Sequence, residues 1–383
     1  MSEKLTAKQA AEQLLYKPEY AADKNTGVKK EATAFAEGYK AFLNAAKTER
    51  EAAAVSEKML LEAGYEKFEP KKTYAPGQKI YFVQEHKAVV AATIGRRSFE
   101  EGFRLVIAHI DSPRLDLRPN PLYEADHFSY FKTHYYGGIR KYQWGTMPLA
   151  IHGVFTRAEI EVVPAYKARD VGFDRAMVGG YGHDDRVDAY PALMAEIETK
   201  DPVHTTVCVL TDKEEIGSDG VTGMQSMYVF HFMQLLCRAA GQDDILAFRN
   251  SVCLSADVTA AYDPSWAGAF EKQNGTYAGR GVAFFKYTGS RGKSSASDAN
   301  AELVGDITRL LDANDVAWQI GELGRLDLGG GGTIAKYVAN RGIPVLDIGV
   351  PVLSMHSPFE VIHKTDLYMA YRTFSLFCQN ADE

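Results

Sequence analysis

TTVCVLTDKEEIGSDG, residues Thr205 to Gly220, sets out how the chain is built. Val207, Cys208, Val209 and Leu210 are apolar at both parities, the pattern of a short strand covered on both faces. The run stops at Asp212, Glu214 and Glu215, and a Gly-Ser turn follows. The same sequence of events recurs. FRLVIA runs into His109-Ile110-Asp111, SVCLSA into Asp257, and IPVLDIGVPVLSM into His356, while GGYGH leads to Asp184-Asp185 before a helical pattern. In an open α/β sheet, ligand sites lie beyond the carboxyl ends of the strands. Five segments therefore deliver carboxylates and imidazoles toward one edge.

Helical and strand patterns alternate around these runs, which predicts a largely parallel or mixed sheet with helices on both faces. The segments DRVDAYPALMAEIET, VTGMQSMYVFHFMQLLCRAAG, DANAELVGDITRLLDAN, TIAKYVANRG and KTDLYMAYRTFSLFC read as helices. KIYFVQEHKAVVAATIG reads as an antiparallel pair, and residues 28–64 as one long helix or two, with Gly38 the candidate break. The N-terminal twenty residues are charged and helical in pattern. After about residue 118 the texture changes: HFSYFKTHYYGGIRKYQWGTMPLAIHGVFTRAEIEVVP is rich in aromatics, Thr and Val and has no helical period. The expected organisation is a main domain in two parts, 1–118 and 178–383, interrupted by a small all-β insert at 119–177.

The 383 residues carry a net charge of -7, which disfavours nucleic acid and membrane surfaces as partners. There is no apolar signal core and no uninterrupted apolar stretch of spanning length, so the expected location is cytoplasmic. Cys208, Cys237, Cys253 and Cys378 form no CxxC pair and read as buried thiols. HExxH and GxSxG are absent. GSRGKSS imitates a phosphate loop, but the glycine that loop needs is Tyr287. LGGGGT before a helix offers backbone N–H groups to an anion or is simply a turn.

A lone Asp after a strand is commonly a helix cap, and a lone His is commonly structural. Several acids converging on one edge repel each other, and a divalent metal relieves that conflict. Mixed His and carboxylate ligands suit zinc, with manganese or cobalt as alternatives.

AHIDSPRLDLRPNP, YGHDDRVDAYPAL, DKEEIGSDGVTGMQS, SADVTAAYDP and SMHSPFEV together resemble the aspartyl aminopeptidase family of dizinc metallopeptidases, in order and over nearly the whole chain. The likeness is nearest to its shorter bacterial members. It implies a zinc-peptidase-like mixed sheet flanked by helices with the β insert, and a metalloaminopeptidase that removes the N-terminal residue, Asp or Glu in the family, from peptides with a free N-terminus. Two zinc ions are implied, bridged by Asp184. His109 and Asp257 complete one site, and Glu215 and His356 the other. Glu214 is the implied general base acting with a metal-activated water, and Asp111 orients His109. A tetrahedral dodecamer is implied, with His152 lent by a neighbouring subunit's insert. Lys286 is the candidate cation for an acidic side chain. Where relatives have Leu before and Asn after the bridging Asp, this chain has His183 and Asp185. Two other readings are an acyl-amino-acid hydrolase or dipeptidase with the same ligands, and a noncatalytic metal-binding assembly protein.

Overall fold

A computed structural model describes residues 6, 19–25, 27–154, 159–289, 292–325 and 329–380. The helical reading of the first eighteen residues lies, Thr6 apart, outside them, as do Ser290 and Arg291 of GSRGKSS and Leu328 of LGGGGT.

The strands in chain order are β1 Glu66–Lys67, β2 Lys79–Gln84, β3 Ala88–Thr93, β4 Arg104–His109, β5 Arg114–Ala125, β6 Phe128–Tyr136, β7 Leu149–Val154, β8 Glu159–Pro164 and β9 Arg169–Val171. They continue as β10 Met177–Gly180, β11 Thr206–Thr211, β12 Val252–Ala256, β13 Thr259–Ala260, β14 Val282–Phe285, β15 Trp318–Ile320, β16 Val345–Gly349, β17 Pro351–Leu353 and β18 Glu360–His363. The α-helices are α1 Ala21–Lys24, α2 Val28–Ala45, α3 Glu49–Glu62, α4 His183–Glu198, α5 Tyr228–Ala240, α6 Asp244–Asn250, α7 Ala301–Ala313, α8 Ala335–Ala339 and α9 Lys364–Asn380.

The main sheet has nine strands in the order β1-β2-β3-β11-β4-β12-β16-β14-β15. Its centre, β11-β4-β12-β16, is parallel, and β3 and β14 flank it antiparallel. The sheet is thus mixed and flanked by helices, as expected. Its apolar runs divide by parity. Val106, Ala108, Cys208, Leu210, Leu254 and Ile348 pack into the core under α2, α3, α4, α7 and α9. Leu105, Ile107, Val207, Val209, Cys253 and Val345 pack with α5, α6 and α8 on the other face. Two buried faces explain why VCVL has no polar alternation. All four cysteines are free and buried. Among the described residues, no helix is long and apolar enough to cross a membrane.

Two helical boundaries differ from expectation. Residues 28–64 do form two helices, but Gly38 sits inside α2, where an added Cβ would collide with the Tyr190 hydroxyl. The break falls at 46–48, where Thr48 and Glu51 form a reciprocal capping box that starts α3. The helix read from Val221 begins at Tyr228, because the Thr222 carbonyl is held by Asp212 N and Thr211 Oγ1.

The remaining strands form two smaller sheets. The order β6-β5-β8-β7 is wholly antiparallel and spans 114–164. The order β13-β17-β18-β10-β9 takes residues 169–180 away from it. The insert sheet is therefore shorter than the 119–177 expected from composition. The change of texture near 118 marks where β5 leaves the packed body, not where it starts: Arg114 is buried and the strand becomes exposed beyond Leu117.

Candidate metal centre

β4 and β11 end level, with His109 paired in register to Thr211, so the residues that follow both strands meet at one edge. After β11 the chain turns through Lys213 at φ 71° into a short 3-10 turn, Glu214–Ile216. The amides of Glu214 and Glu215 donate to Asp111 Oδ1 and Oδ2, each at 3.2 Å. One buried carboxylate thus anchors the backbone of both glutamates, and their side chains diverge. Glu214 Oε2 lies 3.9 Å from His109 Nε2, and Glu215 Oε2 lies 3.4 Å from His356 Nε2.

Asp184 sits between the two imidazoles. Its Oδ1 is 3.1 Å from His109 Nε2, and its Oδ2 is 3.2 Å from His356 Nε2. Asp257 Oδ1 is 3.8 Å from His109 Nε2. Two groups of side chains that could each hold an ion result, His109–Asp184–Asp257 and Asp184–Glu215–His356, with Asp184 common to both. The distal ring nitrogens are tied elsewhere. His109 Nδ1 lies 3.1 Å from the Asp111 carbonyl and 3.3 Å from Asp111 Oδ1, and His356 Nδ1 lies 3.0 Å from the Gly138 carbonyl. Donation there leaves both Nε2 lone pairs facing the acids, the usual arrangement of metal-binding histidines.

The donor set fits zinc. His109 Nε2 and Glu215 Oε1 are buried without a directed hydrogen bond. A buried polar atom without a partner is costly, and coordination satisfies it. The electrostatics point the same way. Burial, then the charge of Asp257, raises Glu214 to about 8. Burial and the Asp184 charge drive Glu215 well up, and burial raises Asp257. Burial opposes charge on His356, but Asp184 and Glu215 outweigh it and raise the ring to about 10. Carboxylates this crowded call for cations.

Asp212, read as part of the acidic strand end, turns away: its Oδ2 accepts from Thr222 Oγ1 at 2.6 Å and it joins neither group. His183 is buried beside Tyr39, whose hydroxyl lies 2.6 Å from Nδ1, and burial lowers the ring to about 3. Asp185 Oδ2 accepts from the His109 amide at 3.2 Å, so it supports a ligand-bearing strand end. His152 lies on β7 with Nδ1 2.7 Å from Glu51 Oε1, and Lys286 pairs with Asp298 at 2.6 Å. Neither lines the cleft of its own subunit.

That cleft, about 410 Å³, is lined by Asp184, Glu214, Glu215, Asp257 and His356 together with Gly330–Gly332, Thr333, Lys336 and Tyr337. An apolar hollow of similar volume around Phe68, Phe82 and Phe232 contains none of these acids. Sequence reasoning missed Lys336, the only lysine or arginine among the cleft's described lining residues. It also missed the role of Glu360, whose Oε1 accepts from His356 N at 2.8 Å and Oε2 from Asp184 N at 3.1 Å. Those bonds help hold His356 at φ 63°, a backbone region that a non-glycine residue occupies only when its surroundings enforce it. A lysine at the start of a helix and a glutamate in a strand carry no local signal of either role.

Comparison with known proteins shows which family the chain belongs to. The family model described as "Aminopeptidase I zinc metalloprotease (M18)" matches residues 42–158 and 154–378. A probable M18 family aminopeptidase 1 of Clostridium acetobutylicum is 37% identical, covering 92% of this chain and 96% of its own. The crystal structure of an M18 family aminopeptidase from Thermotoga maritima superposes with a TM-score of 0.88 at 32% identity, covering 95% of this chain and 100% of that one. Aminopeptidase I from Clostridium acetobutylicum gives 0.87 at 35% identity, covering 96% and 100%. A structure of a yeast mApe1 dodecamer shares the fold, with a TM-score of 0.79 at 16% identity over 90% of this chain and 96% of that one.

Proposed function

The chain belongs to the M18 family of aminopeptidase I zinc metalloproteases, and from that premise we propose that it uses two zinc ions, with Glu214 as general base, to release the first residue of peptides. The observation that carries the finer reading is the pair of ligand groups sharing Asp184, with an additional glutamate on the same cleft that belongs to neither group. His109 and Asp257 complete one site, and Glu215 and His356 the other. When bound, the ions polarise the scissile carbonyl and acidify water, as two-metal sites do in other aminopeptidases.

Glu214 stands beside both groups. It accepts the water's proton and returns it to the leaving amine, a contribution of about 10² to 10⁴ in rate. Asp111 has two tasks: it fixes the His109 ring and anchors the loop that carries Glu214 and Glu215. The acids around the cleft attract the α-ammonium of a free N-terminus, which restricts cleavage to the first residue.

Preference for Asp or Glu at that residue needs a cation. Lys286 is engaged with Asp298, so the support comes from Lys336, which lines the same cleft as the acids. The region we assign as an oligomerisation and lid domain is the insert. Leu122, Phe128, Phe131 and Ile151 are exposed there, in keeping with burial by further copies of the chain. A dodecamer, the assembly named for the yeast mApe1 structure, would cover them and bring His152 of one subunit to another subunit's cleft.

Amino-acid release from a mixed pool of free-N-terminus peptides tests the reading. Release of single residues that needs zinc and stops with a chelator is expected, with Asp and Glu foremost. Release only from N-acylated substrates would overturn it.

A further inference from the structure

We infer that Tyr136-Gly137-Gly138, where β6 leaves the insert, is a positioning strap for the metal centre, so that zinc affinity and seating of the insert are coupled. The inference rests on the two-ion reading.

Three consecutive residues reach three different members of the site. The Tyr136 hydroxyl donates to Asp111 Oδ2 at 2.8 Å. Asp111 is the carboxylate that holds the amides of Glu214 and Glu215, so the tyrosine fixes the acceptor on which that loop hangs. Gly137 backs directly onto Glu215. A Cβ there would lie 3.2 Å from Glu215 Oε2 and 3.3 Å from Pro113 Cβ, and φ is +70°. Both the close approach and the left-handed backbone conformation disfavour a side chain there. The Gly138 carbonyl accepts from His356 Nδ1 at 3.0 Å and thereby aims Nε2 at Asp184 and Glu215.

The strap is itself anchored. The Arg114 guanidinium lies 3.8 Å from the centroid of the Tyr136 ring. It also contacts Glu49 of α3 and Glu161 of β8, each at 3.3 Å. Tyr136 cannot withdraw from Asp111 without disturbing the base of the insert sheet. The contacts fall unevenly on the two ion groups. Glu215 and His356 are held by the strap directly, whereas His109 is reached only through Asp111 and Asp257 follows β12 of the main sheet. Removing a partner that orients a metal ligand typically costs about 10- to 100-fold in affinity. Coupling between two sites is reciprocal, so zinc should in turn steady the strap.

The test uses the full chain, stripped of metal and titrated with zinc against a chromophoric chelator. Wild type is expected to bind two ions per subunit. Tyr136→Phe keeps the ring and its stacking, and should weaken both ions by about 10- to 100-fold, because Asp111 holds the His109 ring as well as the Glu215 amide. Gly137→Ala, which crowds Glu215, should weaken one ion by a similar factor while the other moves less than about threefold. Hydrogen exchange at 136–138 should slow when zinc is added to wild type and change little in Tyr136→Phe. Two ions with affinities unchanged in either variant, or weakened equally by Gly137→Ala, would overturn the strap and leave the two-ion reading intact. A single ion per subunit in wild type would overturn both.

Discussion

The nine-stranded sheet and the four-stranded insert sheet meet at the metal centre but are stabilised in different ways. The large sheet is apolar on both faces and helices cover both. The insert sheet buries only a small cluster around Trp144, Val163 and Tyr181 and leaves Leu122, Phe128 and Phe131 in solvent. Burying an apolar side chain of that size contributes about 1.5–3 kcal/mol, so the large sheet needs no partner for its edge chemistry, whereas the insert gains by finding one. Under the proposed mechanism, the protein takes the base and the ligands His109, Glu215 and Asp257 from the ends of the self-sufficient sheet, and Asp184 and His356 from connections of the five-stranded sheet. It delegates positioning and accessory contacts to the sheet whose surface is unfinished.

The largest expected effect tests the self-sufficient side. Glu214→Gln should lower kcat by about 10² to 10⁴ while bound zinc and thermal stability stay near wild type, because the side chain belongs to neither ligand group. Near-normal turnover would remove the base from the main sheet's edge.

The second prediction concerns the insert. His152→Phe should cut kcat by about 10²-fold, the scale of losing one oxyanion donor, with zinc retained. Mixing it with Glu214→Gln under verified subunit exchange should restore part of the activity. If mixing restores nothing, the accessory histidine does not act across subunits, and the contrast between the two sheets loses its functional side.

The smallest effect asks where specificity resides. Lys336→Met should lower kcat/KM for peptides beginning with Asp or Glu by about 10- to 100-fold, the value of a charge-assisted hydrogen bond of about 1.5–3 kcal/mol. Peptides beginning with a neutral residue should change little. Equal loss on both classes would deny Lys336 the role and direct attention to cations supplied by a neighbouring insert.

The site was unevenly legible in the sequence. His109, Asp184, Glu214, Glu215, Asp257 and His356 stand at or beyond the ends of apolar runs or before a helix, and a parallel sheet brings such positions to one edge. The structure brings all six together. Asp212 carried the same local signal and is drawn off by Thr222, a contact ten residues away that no strand-end rule contains. The roles of Glu360, Gly138 and Lys336 gave no local signal, because Glu360 meets Asp184 and Gly138 meets His356 only when segments far apart in the chain pack, and Lys336 joins the acids only at the assembled cleft. His152 and Lys286 rested on family resemblance, and within one subunit their side chains are engaged with Glu51 and Asp298. The insert was visible as a change of composition, but its limits were not, since β5 begins inside the packed body and β9 pairs with β10, which pairs with β18.

What the sequence determined by itself was the fold class and the chemistry available at the sheet edge. Continuous apolar runs and the residues that end them are local properties, set by the need to bury both faces of a parallel sheet. What only the tertiary structure decided was which atom faces which. That Asp184 lies between two imidazoles, that Glu214 and Glu215 diverge, and that an insert tyrosine holds their common anchor all depend on register and on chain crossings. Directed contacts of about 3 Å between residues distant in the chain are fixed only when the whole core has packed.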